Sequence, residues 1–239
     1  MKELIVITGA SSGIGAATAK AFSKEGHPLL LIARRVDKLK ALNLPNTICA
    51  KVDVTEFEVL KSTIKEAEDK YGKTGCLVNN AGAMLLGSID TQDVREWQKM
   101  YDLNVVAVLN GMQAVLTDMK DRKSGTIINI SSVAGKKTFP AHAAYCGTKF
   151  AVHAISENVR EEVASQNVRV ITIAPGAVET ELLSHTTDDE IIKGYEEWKA
   201  SMDGVIVPDD IARSIEFVYA QPQNVCIREL VITATRQEP

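Results

Sequence analysis

Short apolar, largely β-branched runs alternate with amphipathic stretches almost from one end of the chain to the other. Leu4 to Thr8 is the first such run; Leu29 to Ala33, Thr47 to Val52, Cys76 to Asn79, Thr126 to Ile130, Val168 to Ile173 and Glu229 to Thr233 follow. Helical periodicity marks Ile14 to Gly26 and Val59 to Tyr71. It marks also a helix carrying Val105, Val108, Leu109, Met112, Val115, Leu116 and Met119. Another helix starts near Ala143, with a stripe of Ala151, Ile155, Val159 and Val163, and one more starts after Pro208. A strand that is apolar throughout is covered on both faces, and a helix between two such strands implies a parallel crossover. The pattern predicts an α/β fold, a doubly wound parallel sheet of about seven strands with helices on both faces. The 239 residues hold no repeat, low-complexity stretch or Pro-rich linker, so residues 1–239 read as a single domain.

Charge and cysteine usage narrow the function. A net charge of −4 gives no general attraction to nucleic acid or anionic lipid, so neither is expected as a partner. Cys49, Cys76, Cys146 and Cys226 are far apart, and no C-x-x-C pair suggests a disulfide framework or a zinc site. The histidines are equally scattered, and no metal is expected. Free thiols suit a reducing cytoplasm. No apolar run approaches the ~20 residues that span a bilayer, and a strand beginning at Leu4 leaves no room for a cleavable signal before it. A cytoplasmic protein without membrane attachment is the expectation.

Residues Thr8 to Gly15 read T-G-A-S-S-G-I-G, between the first strand and the first helix. Gly9, Gly13 and Gly15 allow a tight turn and close approach of an anionic group. The helix beyond offers unsatisfied N–H groups and the positive end of its dipole, which suits a pyrophosphate. The end of the second strand then selects the dinucleotide. An acidic residue there would bond the adenosine ribose hydroxyls, as NAD requires; Ala33, Arg34 and Arg35 stand there instead. Guanidinium groups bind a 2′-phosphate bidentately, which favours NADP; the alternative is that both arginines point into water, and at least one is expected not to.

Tyr145 and Lys149 are four apart at the start of a predicted helix and share one face. A phenol near pKa 10 is a poor acid or base at neutral pH. An ammonium about 4 Å away, at an effective dielectric of about 20, contributes roughly 4 kcal/mol and would bring that phenol near 7. Ser131 and Ser132 follow the fifth strand at the carboxyl edge of the sheet, where ligands of such folds bind. A serine there can hold a substrate oxygen, or serve only as a turn or cap residue. Asn104, just before the long amphipathic helix, reads equally as an N-cap.

With these residues in order, the chain resembles the short-chain dehydrogenases/reductases over nearly its whole length. The resemblance rests on T-G-A-S-S-G-I-G, Asp53-Val54, Asn79-Asn80-Ala81-Gly82, Asn104, I-S-S-V-A-G (130–135), Tyr145-x-x-x-Lys149 and Pro175-Gly176-x-x-x-Thr180. It implies a Rossmann-type domain and a catalytic tetrad of Asn104, Ser132, Tyr145 and Lys149. Ser132 is preferred to Ser131 because it lies thirteen residues before Tyr145, the family's spacing. Tyr145 would exchange a proton with the substrate oxygen, Lys149 would lower its pKa and hold the nicotinamide ribose, Ser132 would orient the carbonyl, and Asn104 would anchor a water. Coenzyme contacts are implied for Gly9, Ser11, Ser12, Gly13, Ile14 and Gly15 in the loop, and for Arg34 and Arg35 as in the NADP-preferring branch. Asp53 and Val54 would meet the adenine, Asn80 the adenosine side, and Val178 with Thr180 the nicotinamide amide, while Ala81, Gly82, Pro175, Gly176, Tyr145 and Lys149 are implied as further coenzyme contacts.

The activity implied is NADP(H)-dependent interconversion of a small carbonyl and its alcohol. Substrate would touch Ser132, Ala134, His142 and Tyr145, with Val133, the 139–142 stretch and a lid over residues 181–207, including Trp198, as further walls. The run from Asn224 to Gln237 is similar to a subgroup acting on 3-hydroxy acids, serine or small aldehydes. The resemblance also implies a homodimer or homotetramer packed through the helices near Asn104 and Ala143. A non-catalytic NADP-binding sensor on the same fold is the alternative; such proteins typically lose the tyrosine or the lysine, and here all four tetrad positions are filled.

Overall fold

In the computed structural model, which describes residues 2–237, the apolar runs become β1 (Leu4–Thr8), β2 (Leu29–Ala33), β3 (Thr47–Lys51), β4 (Thr74–Asn79), β5 (Thr126–Ile130), β6 (Arg169–Pro175) and β7 (Glu229–Ile232). They form one parallel sheet of 7 strands in the order β3-β2-β1-β4-β5-β6-β7. The inner five strands are buried at every position, whereas the edge strands β3 and β7 are only partly covered.

Successive residues of a strand face opposite sides. Ile5, Ile7, Leu29 and Leu31 pack on one side against α1 (Gly13–Lys24), α2 (Val36–Ala41) and, later in the chain, a helix over Pro208–Tyr219, through Phe22, Leu39, Ile211 and Ile215. Leu4, Val6, Leu30 and Ile32 pack on the other side against α3 (Phe57–Tyr71) and two further helices, through Leu60, Ile64, Met112, Val115 and Val152. The strand order reverses between β1 and β4, and the crevice this opens at the carboxyl ends of the strands holds the candidate site.

Several local features differ from the sequence expectations. The short α2 and α4 (Val94–Tyr101) were not legible as helices. Asn104 is not an N-cap: α4 runs on through a π-helical turn, Asp102–Val106, into α5 (Ala107–Asp121). Leu109, expected on the buried stripe of α5, is 41% exposed. In α6 (Ala143–Val163) the fully buried face is Tyr145, Cys146, Thr148, Lys149, Val152 and Ser156, with Val163, while Ala151, Ile155 and Val159 are half-buried flank. The sheet side of α6 carries polar groups, so apolar periodicity marks the flank instead. One of them, Ser156, ends a buried chain in which Asn79 donates to Asn129 (2.9 Å) and Asn129 donates to Ser156 (2.9 Å). The segment after β6 contains α7 (Asp189–Ser201), capped by the Asp188 carboxylate, and α8 is the Pro208–Tyr219 helix. No helix among the described residues is long and apolar enough to cross a membrane.

Candidate active site

A cleft of about 1100 Å³ runs along the carboxyl ends of the strands, from the glycine loop to the segment around α7. The loop is shaped by its own chain as much as by any ligand. Gly9 has φ +65°, and a Cβ there would lie 2.7 Å from the Ala81 Cα. At Gly15 a Cβ would lie 2.5 Å from the Gly9 carbonyl oxygen. The Thr8 hydroxyl accepts the backbone N–H groups of Asn80 (3.0 Å) and Ala81 (3.1 Å). Asn80, expected on the adenosine side, donates its amide to the carbonyls of Thr8 (3.0 Å) and Gly9 (3.2 Å), so its side chain braces the loop. Thr180 leans on Gly13, where a Cβ would sit 3.2 Å from the threonine methyl.

At the end of β2, Arg35 reaches over this loop. Its guanidinium donates to the hydroxyls of Ser11 (3.2 Å) and Ser12 (2.9 Å) and to Glu181 (3.0 Å). Lys38, one helical turn on, donates to the other Glu181 oxygen at 2.9 Å. Arg34 lines the same end of the cleft and is exposed. Asp53 and Val54 line it too; the Asp53 carboxylate accepts from the Thr55 N–H and hydroxyl, which closes the turn after β3.

Ser132, Tyr145 and Lys149 meet at the ends of β5 and α6. The Ser132 hydroxyl accepts the Ala134 N–H at 3.1 Å and stands beside the Tyr145 phenol, whereas Ser131 turns away and donates to the Lys149 carbonyl at 3.2 Å. The Lys149 ammonium lies 5.7 Å from the Tyr145 ring centre and donates to the Ile130 carbonyl at 3.0 Å. The electrostatics follow from this geometry. Burial pushes the Tyr145 phenol above its usual range, and the Ser132 hydroxyl only partly opposes it. Burial lowers the Lys149 ammonium to about 8. Asn104 is 1% exposed. The π turn aims its amide inward, where it accepts the Ala83 N–H (2.8 Å) and donates to the Ala83 carbonyl (2.9 Å) and the Thr148 hydroxyl (3.1 Å). Both amide hydrogens are thereby used, so a water anchored at Asn104 would meet the second lone pair of its Oδ1 or its backbone. Such wide turns recur at functional sites because they re-aim a side chain.

Beyond Tyr145 the wall turns apolar and aromatic. Met84, Leu85, Leu86, Met100 and Ala134 pack with Tyr145, and Phe139, Leu182, Ile191 and Tyr195 close over them. His142 lies 6.3 Å from Tyr145 and stacks on Tyr195 at 6.5 Å, centre to centre, and Tyr195 meets Trp198 edge-on. Burial lowers the pKa of His142, which keeps it neutral at neutral pH. Further contacts fasten the segment over residues 181–207. Thr186 donates to the Met84 carbonyl and accepts the Leu86 N–H, both at 3.2 Å, and Val178 pairs with Ile206. Pro175 ends β6, and Gln237 returns to the next turn, accepting the Ala177 N–H at 2.9 Å where a side chain on Gly176 would collide with it.

The sequence profile of the short chain dehydrogenase family matches residues 3–191 of this chain. The chain belongs to that family. An uncharacterized oxidoreductase of Staphylococcus saprophyticus is 39% identical over 98% of this chain and 97% of its own length. The closed form of a serine dehydrogenase complexed with NADP+ superposes with a TM-score of 0.92, at 27% identity over 99% of this chain and 96% of that one. An alcohol dehydrogenase of Thermococcus sibiricus complexed with 5-hydroxy-NADP gives a TM-score of 0.86 at 25% identity, covering 100% and 99%.

In this short-chain dehydrogenase the residues that sequence reasoning missed come mostly from outside the motifs. Glu181 pairs with both Lys38 and Arg35, Thr186 fastens the segment over the cleft, Tyr195 supplies an aromatic wall, and Gln237 props the turn after β6. Only Lys38 carried a signal, one turn beyond a double arginine; the others are isolated polar or aromatic residues in irregular stretches.

Proposed function

We propose that the protein is an NADP(H)-dependent oxidoreductase that interconverts a small carbonyl compound and its alcohol, with Tyr145 exchanging the proton. The observation that carries this reading is the convergence of the Ser132 hydroxyl, the buried Tyr145 phenol and the Lys149 ammonium at one end of a cleft whose other end is the glycine loop. The residues fit a dinucleotide phosphate. The Ser12 side chain does not cap α1, so the first N–H groups of that helix remain free to meet a pyrophosphate. Arg35 with Ser11 and Ser12, and Arg34 beside them, offer a 2′-phosphate cationic and hydroxyl partners. The NADP-bound relatives support the same coenzyme.

The bound nicotinamide supplies or accepts the hydride; the protein's own groups handle orientation and the proton. Ser132 holds the substrate oxygen, and Tyr145 delivers a proton to it as negative charge develops. Burial keeps this phenol protonated but makes it a weaker acid, so proton delivery in reduction depends on the Lys149 cation drawing closer and lowering it. In the opposite direction the phenol must lose its proton, and Lys149, lowered to about 8, is placed to favour that state once it leaves the Ile130 carbonyl. Gly82, Pro175, Gly176, Val178 and Thr180 line the same cleft, where Val178 and Thr180 would meet the nicotinamide amide. Ala134, Phe139, neutral His142 and Tyr195 line the substrate end, an environment matched to an uncharged carbonyl group. Exposed Tyr101, Leu109 and Phe150 on α4, α5 and α6, with Val106 in the wide turn, suit a contact with a second copy, a homodimer or homotetramer in the cytoplasm.

The test is coenzyme oxidation with a panel of aldehydes, keto acids, β-keto esters and diketones, compared between the parent and Tyr145→Phe. The variant retains NADPH binding and loses turnover by roughly two orders of magnitude or more. A phenylalanine variant that turns over at the parental rate overturns the reading.

A further inference from the structure

The arginine that best fits a coenzyme phosphate already holds an anion. Arg35 donates to one oxygen of Glu181 (3.0 Å) and Lys38 to the other (2.9 Å), while the second Arg35 nitrogen rests on the Ser11 and Ser12 hydroxyls. Residues 35 and 38 lie one turn apart and present their cations together. Glu181 comes from far along the chain: it is the first residue of the 3-10 turn Glu181–His185 that begins the segment over the cleft, directly after Thr180, which packs on Gly13. The two cations hold the Glu181 carboxyl down to about 2, so it is charged throughout the physiological range. A chain with no use for this juxtaposition would have little reason to bring a carboxylate from residue 181 onto the serine-rich loop.

We propose that Glu181 is a built-in competitor for the 2′-phosphate of the coenzyme, and that Lys38 is a further cation of that phosphate subsite. The inference rests on the NADP(H) reading above and deepens it. A carboxylate brings one negative charge and two oxygens; a phosphate monoester brings between about 1.5 and 2 charges and three acceptor oxygens, so it wins the same fork. To win it must displace Glu181. A coenzyme without the 2′-phosphate has no group that needs those cations, and the carboxylate keeps them. Glu181 therefore narrows the preference for NADP(H) over NAD(H), the reverse of what the double arginine alone would set. Displacing Glu181 also frees the first turn of the segment that closes the substrate end, so phosphate recognition and closure of the cleft are tied through one side chain.

The experiment is isothermal titration of NADP+ and NAD+ into the parent, Glu181→Gln and Glu181→Gln/Lys38→Gln, with thermal unfolding to confirm that each is folded. Half-exposed Glu181 is not a core residue, so the variants keep their fold. Glu181→Gln binds NADP+ roughly threefold to tenfold more tightly, the worth of two exposed ion pairs no longer competing, and NAD+ no more tightly. Adding Lys38→Gln then weakens NADP+ and leaves NAD+ unchanged. Unchanged or weaker NADP+ binding by Glu181→Gln overturns the competition, as does equal tightening of both coenzymes, which would mark a general loosening of the segment. An unaltered NADP+ affinity on adding Lys38→Gln removes Lys38 from the subsite. If the parent and all variants bind NAD+ and fail to bind NADP+, it is the coenzyme assignment that falls.

Discussion

Lys149 is 7% exposed, and no carboxylate contributes to holding its charge; burial alone lowers it to about 8 from 10.5. That difference corresponds to about 3 kcal/mol of unfavourable free energy in the folded state at neutral pH. Lys149→Met keeps the aliphatic stem, removes the charge, and loses the hydrogen bond to the Ile130 carbonyl, which costs about 1–3 kcal/mol. The variant should therefore be as stable as the parent near pH 7, or more stable by up to about 2 kcal/mol, while its turnover collapses. The pH dependence isolates the cause. Below about 8 both folded and unfolded chains carry the proton, and the parent bears the full penalty. As pH rises toward 10.5 the folded lysine is neutral while the unfolded one is still charged, so the unfolded state binds more protons and the parent gains stability. Urea unfolding of both proteins near pH 7 and near pH 10 should show the parent gaining roughly 2 kcal/mol relative to the variant. A difference that stays constant across that range, or moves against the parent, refutes the reasoning.

Gly9→Ala forces a Cβ to 2.7 Å from the Ala81 Cα at a φ of +65°, so it should cost at least about 1–2 kcal/mol in urea unfolding and weaken NADP+ binding; unchanged affinity and midpoint would show that the loop is not braced on Asn80-Ala81. Leu109→Glu, on the exposed side of α5, should shift sedimentation at micromolar concentration toward monomer without changing the fold; a parent that already sediments as a stable monomer rules out the second copy.

The fold could be read in the sequence because the five inner strands are apolar at nearly every position, a pattern that few alternatives produce. The cluster of Ser132, Tyr145 and Lys149 could be placed because each sits at a fixed offset from a strand or helix end. The electrostatics inside it could not. Spacing on a helix says that two side chains share a face, but the Ile130 carbonyl, from another strand, decides where the ammonium rests. The resemblance places Asn80 on the adenosine side; nothing in the sequence signals that its amide also finds the carbonyls of Thr8 and Gly9, partners that exist only once β1 and β4 lie side by side. On α6 three residues of the expected stripe, Ala151, Ile155 and Val159, fall beside the buried face and only Val163 on it, because burial there follows the cleft and the Asn79–Asn129–Ser156 chain. Glu181 gave no local signal at all, since its importance lies in cations 143 and 146 residues away in the chain.

The wide turn at Asp102–Val106 has a consequence for anyone reshaping this protein. It holds one residue more than a regular turn, so everything upstream on α4 is dialled by about 100° relative to α5. A well-meant deletion that made the rod uniform would strengthen its backbone and swing Asn104 out of the interior. Local perfection and a working cleft are, at this one joint, incompatible aims.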